Sequence, residues 1–576
     1  MQKESASLNM TTAPADSTIV RWHPSLPILI LCIPIFLAYI SIAIQNWNIV
    51  FDDAYISYRY ARNLAMGYGI TWNAGFPATE GYTNFLLVLI LAPIIKAGLD
   101  PLLFTRVLSL FCAMGMAYVL FVFSRRQFGC STTASSMVAA LIFLVPATEV
   151  LCLVGMETVI YAFFLLITFF AGAIYIERKQ SKHSIIFSCI LFLTMLLRPE
   201  AALLYPIMSI TFLIESARHK SGLKSLMIGF LVLLALGGAY LAWKYYYFGQ
   251  ILPNPFYLKA VGNSFISPDG LQSVLSYINE YSLLLLLAFP GMFLAIVSKG
   301  PERHLNKIIA LTGFSFIFAY CIFFIHIDTL MDIYGRFLYP LVPLLILLTI
   351  PFFAKALGFI ESISKHKAIV LSVLMVVYLL AFAPADIFKF YERLTWLSSK
   401  HNLQANKFYM VKELHIAKVL ARFPHIKDTR IAFADSGVIP YFSGAIWLDV
   451  VGLNDSYIAK TRDKNKLVDY FFAWSPDLVI HPGKAGYSWL QDGHGPLGDY
   501  LSWSNDPRWD DYEYVGTSKM DDISYDLQYF VKKSSRFRGD LDSFLKTNIV
   551  DGWYDPFPLP IGTYNPNGTR STWRSR

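Results

Sequence analysis

The chain has 576 residues, of which 55% are hydrophobic, 16% aromatic and only 15% charged, with a mean hydropathy of +0.47. Soluble domains carry about 25% charged residues, so the composition excludes a soluble globular protein and indicates a polytopic membrane protein. The net charge of +8 sits almost wholly in residues 1–385, 24 basic against 17 acidic, in short loops between apolar runs, where it reports membrane orientation and gives no reason to invoke nucleic acid.

Residues 1–25 form a polar stretch too long for a signal peptide and lacking a small-residue cleavage site, so they read as a cytoplasmic tail before a retained first span, Leu26–Ile44. Apolar runs then predict spans near 26–44, 102–123, 132–147, 157–175, 184–197, 201–214, 224–246, 280–298, 307–325, 337–353 and 368–385, about eleven in all. With the N-terminus inside, every basic cluster falls on the cytoplasmic side: Arg125-Arg126, Arg178-Lys179 with Lys182, Arg218 to Lys224, Lys299 to Lys307, and Lys355 to Lys367. The alternate loops fall outside, and the run Asn84–Ala97 reads as an amphipathic helix on the outer surface. This is a multi-pass protein of the inner (plasma) membrane, with a transmembrane domain over 26–385 and an external loop over 48–101.

After Pro384 the long apolar runs stop and charge becomes dense and balanced. Segments 430–434, 446–451, 478–481, 512–515 and 527–531 read as short strands, and 406–421 has a helical period. Residues 386–560 are therefore expected to form an extracytoplasmic α/β domain, with 561–576 a disordered tail. The six cysteines (Cys32, Cys112, Cys130, Cys152, Cys189, Cys321) all lie in the membrane half and show no metal or disulfide spacing, so they read as small buried apolar residues.

The chemistry gathers in the loops assigned to the outer face. Asp52 and Asp53 adjoin a bilayer, where unpaired charge is costly; an acid pair there also suits the start of the 54–66 helix. Arg59, Arg62, Glu80, Glu157, Arg198, Glu200, Lys259, Asp328, Asp332 and Arg336 join them on that side, whereas the span interiors carry almost no charge, against a proton-coupled transporter. Carboxylates among cations suit transfer to a hydroxyl with a phosphate leaving: an acid takes the acceptor proton and the cations receive the leaving charge. No GxGxxG or GxxxxGK[ST] loop is present, so the donor is expected to be a polyprenyl-phosphate sugar rather than a nucleotide sugar. No cofactor is assigned. A divalent cation beside the acid pair, with His326, Asp328 and Asp332, is compatible with these residues; no residue is assigned as a metal ligand.

The block Asp52-Asp53-Ala-Tyr-Ile-Ser-Tyr-Arg59-Tyr-Ala-Arg62-Asn63, followed by Glu80-Gly81-Tyr82-Thr83-Asn84, resembles the first external loop of the GT-C glycosyltransferases. More narrowly it is similar to the actinobacterial cell-wall arabinofuranosyltransferases that add terminal β-1,2 residues. Gly155-Met-Glu157-Thr, Arg198-Pro-Glu200, Leu252-Pro-Asn254-Pro-Phe-Tyr257-Leu-Lys259, Gly335-Arg336-Phe-Leu-Tyr-Pro340, Asp435-Ser-Gly437 and Asp449-Val-Val-Gly452-Leu-Asn454-Asp455 continue the likeness over roughly 26–460. The resemblance implies a lipid-phosphate sugar donor, inversion at the transferred carbon and an external acid as base. Pro255 stands where relatives often have Thr, and Glu200 where they often have Asp.

Asp52 and Asp53 are thus the candidate catalytic acids, and Lys259, Arg198 and Arg336 the candidates for the donor phosphate. Arg59, Arg62, Glu80, Tyr82, Asn84, Glu157, Glu200, Asn254 and Tyr257 are candidates for contacting substrate. The acceptor is expected to be a glycan, lipid or protein. A mannosyltransferase, an oligosaccharyltransferase and a non-enzymatic flippase of lipid-linked sugar are the alternative readings.

Overall fold

The computed structural model describes residues 47, 51–217, 222–259, 266–298, 303–329, 332–363, 413–484, 487–488, 506–518 and 526–550. The expected spans 26–44 and 368–385 and the tail 561–576 lie outside the described residues, and the 406–421 helix is described from 413 onward.

Five described helices are long and apolar enough to cross a membrane: Pro101–Phe128, Thr158–Arg178, Leu223–Phe248, His304–Ile325 and Tyr339–Ala356. Two bent pairs bring the number to seven if each is one span, 134–153 at 59° and 268–297 at 73°. The expectation of about eleven therefore exceeds what the described residues supply. Part of the difference is local chemistry. Val145 precedes Pro146 and is extended (φ −80°, ψ 111°), which breaks the expected 132–147 run in two. The expected runs 184–197 and 201–214 are already short, and the helices found there, Ser181–Leu197 with 17 residues and Leu204–Ala217 with 14, are separated by a 3₁₀ turn over Pro199–Leu203. Both fall short of the ~20 residues a span needs.

Sequence punctuation sets the helix ends. The Asp100 carboxylate accepts the Leu102 N–H at 2.9 Å with Pro101 at the first position, and left-handed Gly129 closes Pro101–Phe128. Close packing between helices depends on missing side chains: a Cβ on Gly291 would collide with the Leu348 carbonyl oxygen on the 342–363 helix. The Phe85–Lys96 helix turns Phe85, Leu87, Val88, Leu91 and Ala92 inward and packs against the Asp52–Ala65 and Ser181–Leu197 helices.

The C-terminal region forms a six-stranded mixed sheet of β1 (Arg430–Phe433), β2 (Ile446–Asp449), β3 (Leu478–Lys484), β4 (Tyr487–Ser488), β5 (Tyr512–Ser518) and β6 (Asp526–Lys532). The order is β2-β1-β3-β6-β5, with β4 paired to β3; β1 runs parallel to β2 and β3, and β6 antiparallel to β3 and β5. Alternation divides the strands between two cores. Ile431, Phe433, Leu478, Ile480 and Tyr529 join the core that continues into the membrane domain, while Ala432, Val479 and Phe530 face Leu467 and Phe471 of the 464–474 helix. The sheet is thereby welded to the membrane domain on one face.

Candidate active site

The Asp52–Ala65 helix begins with Phe51 in the N-cap position, a residue whose side chain supplies no capping hydrogen bond. Both acids sit in the first turn, where the helix dipole favours negative charge. Their side chains then diverge. Asp53, 28% exposed, pairs through Oδ2 with Nη2 of Arg336 at 2.7 Å. Arg336 is buried, flanked by the Phe51 and Phe337 rings at 5.7 and 5.0 Å, with Nη1 against the Met156 sulfur at 3.0 Å. Its Nε has no hydrogen-bond partner among the described residues. Asp52 turns the other way: Oδ1 accepts the Val438 N–H at 2.7 Å. Enclosure, then the charges of Asp435 and Asp53, hold the Asp52 carboxyl well above the usual carboxylate range, against hydrogen bonds from the Val438 and Gly437 backbone.

Arg198 also lies against Phe337, 5.2 Å from that ring. Its charge is balanced by two carboxylates: Nε donates to Glu200 at 2.6 Å and Nη1 to Glu157 at 3.1 Å. Glu157 also accepts from the Asn84 amide at 2.8 Å, and the Asn84 oxygen accepts from Ser57 at 2.9 Å. Tyr320 reaches Glu200 at 3.4 Å. Glu157, Glu200, Asn84 and Arg198 are all buried, so this group is a strut that ties three loops beneath the acid pair.

A second buried ion pair joins Glu80 to Lys244 at 2.7 Å, with side chains 3% and 6% exposed. Burial pushes the Glu80 carboxyl up to about 7, with Lys244 working against the rise. The Glu80 carbonyl accepts the Asn254 N–H at 2.9 Å. The Asn254 side-chain oxygen accepts from Gln250 at 2.9 Å and from Ser456 at 3.1 Å, while Asn254 Nδ2 and Tyr82 Oη find no partner among the described residues. Tyr82 packs edge-on to Tyr60 at 4.7 Å. The Tyr257 carbonyl accepts from Arg462 at 2.5 Å, and its ring lies 5.0 Å from Lys460. Lys259 ends the Asn254–Lys259 helix, and its side chain lies outside the described residues.

Arg59 and Arg62 hold the C-terminal domain. Buried Arg59 donates to the Pro440 and Ala445 carbonyls, the latter at 3.1 Å, and stacks on Trp72 at 4.7 Å. Burial brings its guanidinium down to about 9. Arg62 donates to the Tyr441 carbonyl and lies over the Tyr441 ring at 4.6 Å. The Asn73 amide accepts the Trp447 N–H at 3.0 Å and donates to the Trp447 carbonyl at 2.8 Å. Tyr60 donates to Asn454 at 3.1 Å, and Asn454 is itself held by Asp449.

Among the described residues, no group of three or more His, Cys, Asp and Glu side chains is placed to hold a metal ion. Asp332 instead accepts the Phe337 N–H at 3.3 Å. Sequence reading passed over Lys244, whose only signal is one lysine near the end of an apolar helix. It also passed over the role of Asp449 and Asn73, whose partners no local spacing reveals.

The Alg9-like mannosyltransferase family model matches residues 22–425. A domain of unknown function, DUF8728, matches residues 402–533. No curated protein matches the chain. Among solved structures, ArnT from Cupriavidus metallidurans bound to undecaprenyl phosphate is similar over 86% of this chain and 97% of its own, at 12% identity and a TM-score of 0.51. The apo state of ArnT from the same organism aligns over 87% and 98%, at 12% identity and a TM-score of 0.49. At such identity the likeness is one of fold.

Proposed function

Since the chain belongs to the Alg9-like mannosyltransferase family and is a glycosyltransferase of the GT-C type, we propose that it moves a sugar from a polyprenyl-phosphate donor to an extracytoplasmic hydroxyl by one inverting displacement. The observation that carries this reading is the Asp53–Arg336 pair: a partly exposed acid beside a buried guanidinium that keeps a donor in reserve. Asp53 takes the proton of the acceptor hydroxyl as its oxygen attacks the anomeric carbon. The bond from that carbon to the phosphate oxygen breaks, and the electron pair leaves with the lipid phosphate. Arg336 receives the developing charge. Arrival of the phosphate draws Arg336 away from Asp53 and frees the base for its task.

Arg198 is already balanced by two carboxylates, so in this mechanism it holds Glu157 and Phe337 in place and leaves the phosphate to Arg336, with Lys259 as the second candidate. Glu80, Tyr82 and Asn254 are the proposed acceptor contacts, the support being that the buried Asn254 amide and Tyr82 hydroxyl each have an unspent polar group. The undecaprenyl phosphate in the ArnT structure supports the lipid class of the donor. The sign pattern of the loops supports an inner-membrane protein with this site facing outward.

Arabinofuranose is the proposed sugar, supported by the likeness of the motif blocks, with mannose the second reading on the strength of the family match. The test supplies the purified protein in nanodiscs with decaprenyl-phosphoryl arabinofuranose or decaprenyl-phosphoryl mannose and a cell-wall arabinan acceptor, and measures release of decaprenyl phosphate. Turnover is expected with the arabinose donor. Asp53→Asn should lower it about 10²–10⁴-fold, and Arg336→Gln about 10²–10³-fold. Full turnover by both variants would sink the mechanism, and turnover with the mannose donor alone would replace the sugar.

A further inference from the structure

We propose that the two adjacent aspartates divide the work, with Asp52 a positioning residue through which the Gly437–Val438 turn of the C-terminal domain sets Asp53 against Arg336. This rests on the transfer reading above and adds to it a role for a domain that contributes neither the base nor Arg336.

The geometry is a clamp between two helices. At the head of the Asp52–Ala65 helix, the Asp52 carboxylate accepts the first amide of the Val438–Ser443 helix at 2.7 Å. Asp52 is a cap, and the helix it caps belongs to the other domain. Further along the same helix, Arg59 and Arg62 grip carbonyls at the far side of that partner, those of Pro440, Tyr441 and Ala445. Carboxylate meets N–H at one end and guanidinium meets C=O at the other, so the contact has one register and resists both sliding and rotation.

Gly437 lets the two segments of the chain approach. A Cβ there would collide with the Asp52 carbonyl oxygen and with its carboxylate. Gly437 therefore presses on the residue next to the base. Because Asp53 follows Asp52 in one helical turn, the backbone that fixes Asp52 also fixes where Asp53 meets Arg336. Asp52 itself is engaged with the domain backbone, and the carboxylate that Arg336 pairs with is that of Asp53.

The experiment uses the full chain in nanodiscs, with turnover of the two donors named above and hydrogen–deuterium exchange over 437–447. Asp52→Ala should speed exchange in that segment and lower turnover about 10²-fold at unchanged KM, as a displaced reacting group does. Asp52→Asn keeps an oxygen acceptor for the Val438 amide. It should restore slow exchange and recover turnover to within about tenfold of the parent protein. Gly437→Ala should reproduce the Asp52→Ala loss, and the double variant should add little to either, since both act through one contact. Asp53→Asn should lower turnover about 10²–10⁴-fold with exchange unchanged. If Asp52→Asn is as inactive as Asp53→Asn, Asp52 takes part in the chemistry and the proposal falls. Unchanged exchange in Asp52→Ala overturns it whether or not either donor is used. An active Asp53→Asn instead overturns the transfer mechanism, so the two failures are separable.

Discussion

Lys244 is a single charge near the end of a 26-residue apolar helix, and its value depends entirely on Glu80. Removing it by Lys244→Met leaves a buried carboxylate alone, which costs about 3–5 kcal/mol for such a pair. The double variant Glu80→Gln with Lys244→Met should recover most of that loss, as read from thermal unfolding in detergent. The pH dependence has a definite sign. Folding raises Glu80 from the ordinary carboxyl value of 4.5 to about 7, so the folded state binds the proton more tightly. Stability from this group is full below pH 4.5 and is lost as pH rises to about 7, at up to about 1.4 kcal/mol per unit. Glu80→Gln should remove that part of the slope; an unaltered Tm–pH curve would contradict it. At this scale the sequence revealed which residues are chemically costly, because charge beside a bilayer stands out. It did not reveal their partners. Arg59 and Arg62 spend their donors on carbonyls some 380 residues away, and no spacing rule reaches that far.

Among the elements, the strands were the most legible. The five stretches read from alternation at 430–434, 446–451, 478–481, 512–515 and 527–531 all lie in the sheet, because each has one face in either core. Tyr487–Ser488 has two residues and no period to detect. Apolar runs located the membrane helices and the break at Pro199, which falls between the runs 184–197 and 201–214, but not the one at Pro146, a single residue inside an otherwise apolar run. Glycines test the packing directly. Gly291→Ala should destabilise the membrane domain by about 1–3 kcal/mol, because the new methyl meets main chain on the 342–363 helix. Gly237→Ala and Gly238→Ala, with open space at each Cβ, should be neutral or gain up to about 1 kcal/mol of helix propensity. Thermal unfolding of the three variants side by side decides the matter; equal losses would refute the packing account.

For the whole molecule, the junction between the first loop and the C-terminal domain matters most. It joins Asp52, Arg59, Arg62, Asn73 and Tyr60 to residues 438–454. Sequence reading separated the two regions at Pro384 and treated the second as an independent body, since composition changes there. Surface complementarity between distant segments leaves no trace in composition. Asn73→Ala removes two hydrogen bonds to Trp447 and should cost about 2 kcal/mol. Faster exchange over 446–449, with the membrane helices unaffected, is the expected signature; protection unchanged at Trp447 would refute it.

Asn73 also bears on how the chain is made. In the sheet order, β2 is a terminal strand, and the Asn73 amide engages both main-chain groups of Trp447 as a neighbouring strand would. A bare strand edge invites pairing with another copy. The loop that supplies Asn73 is synthesised hundreds of residues before β2 emerges, so the ribosome delivers the protector ahead of the vulnerable edge. The first strands thus meet their cover before β3 to β6 are made, and a copy whose first loop is displaced would carry an open edge into the rest of its synthesis.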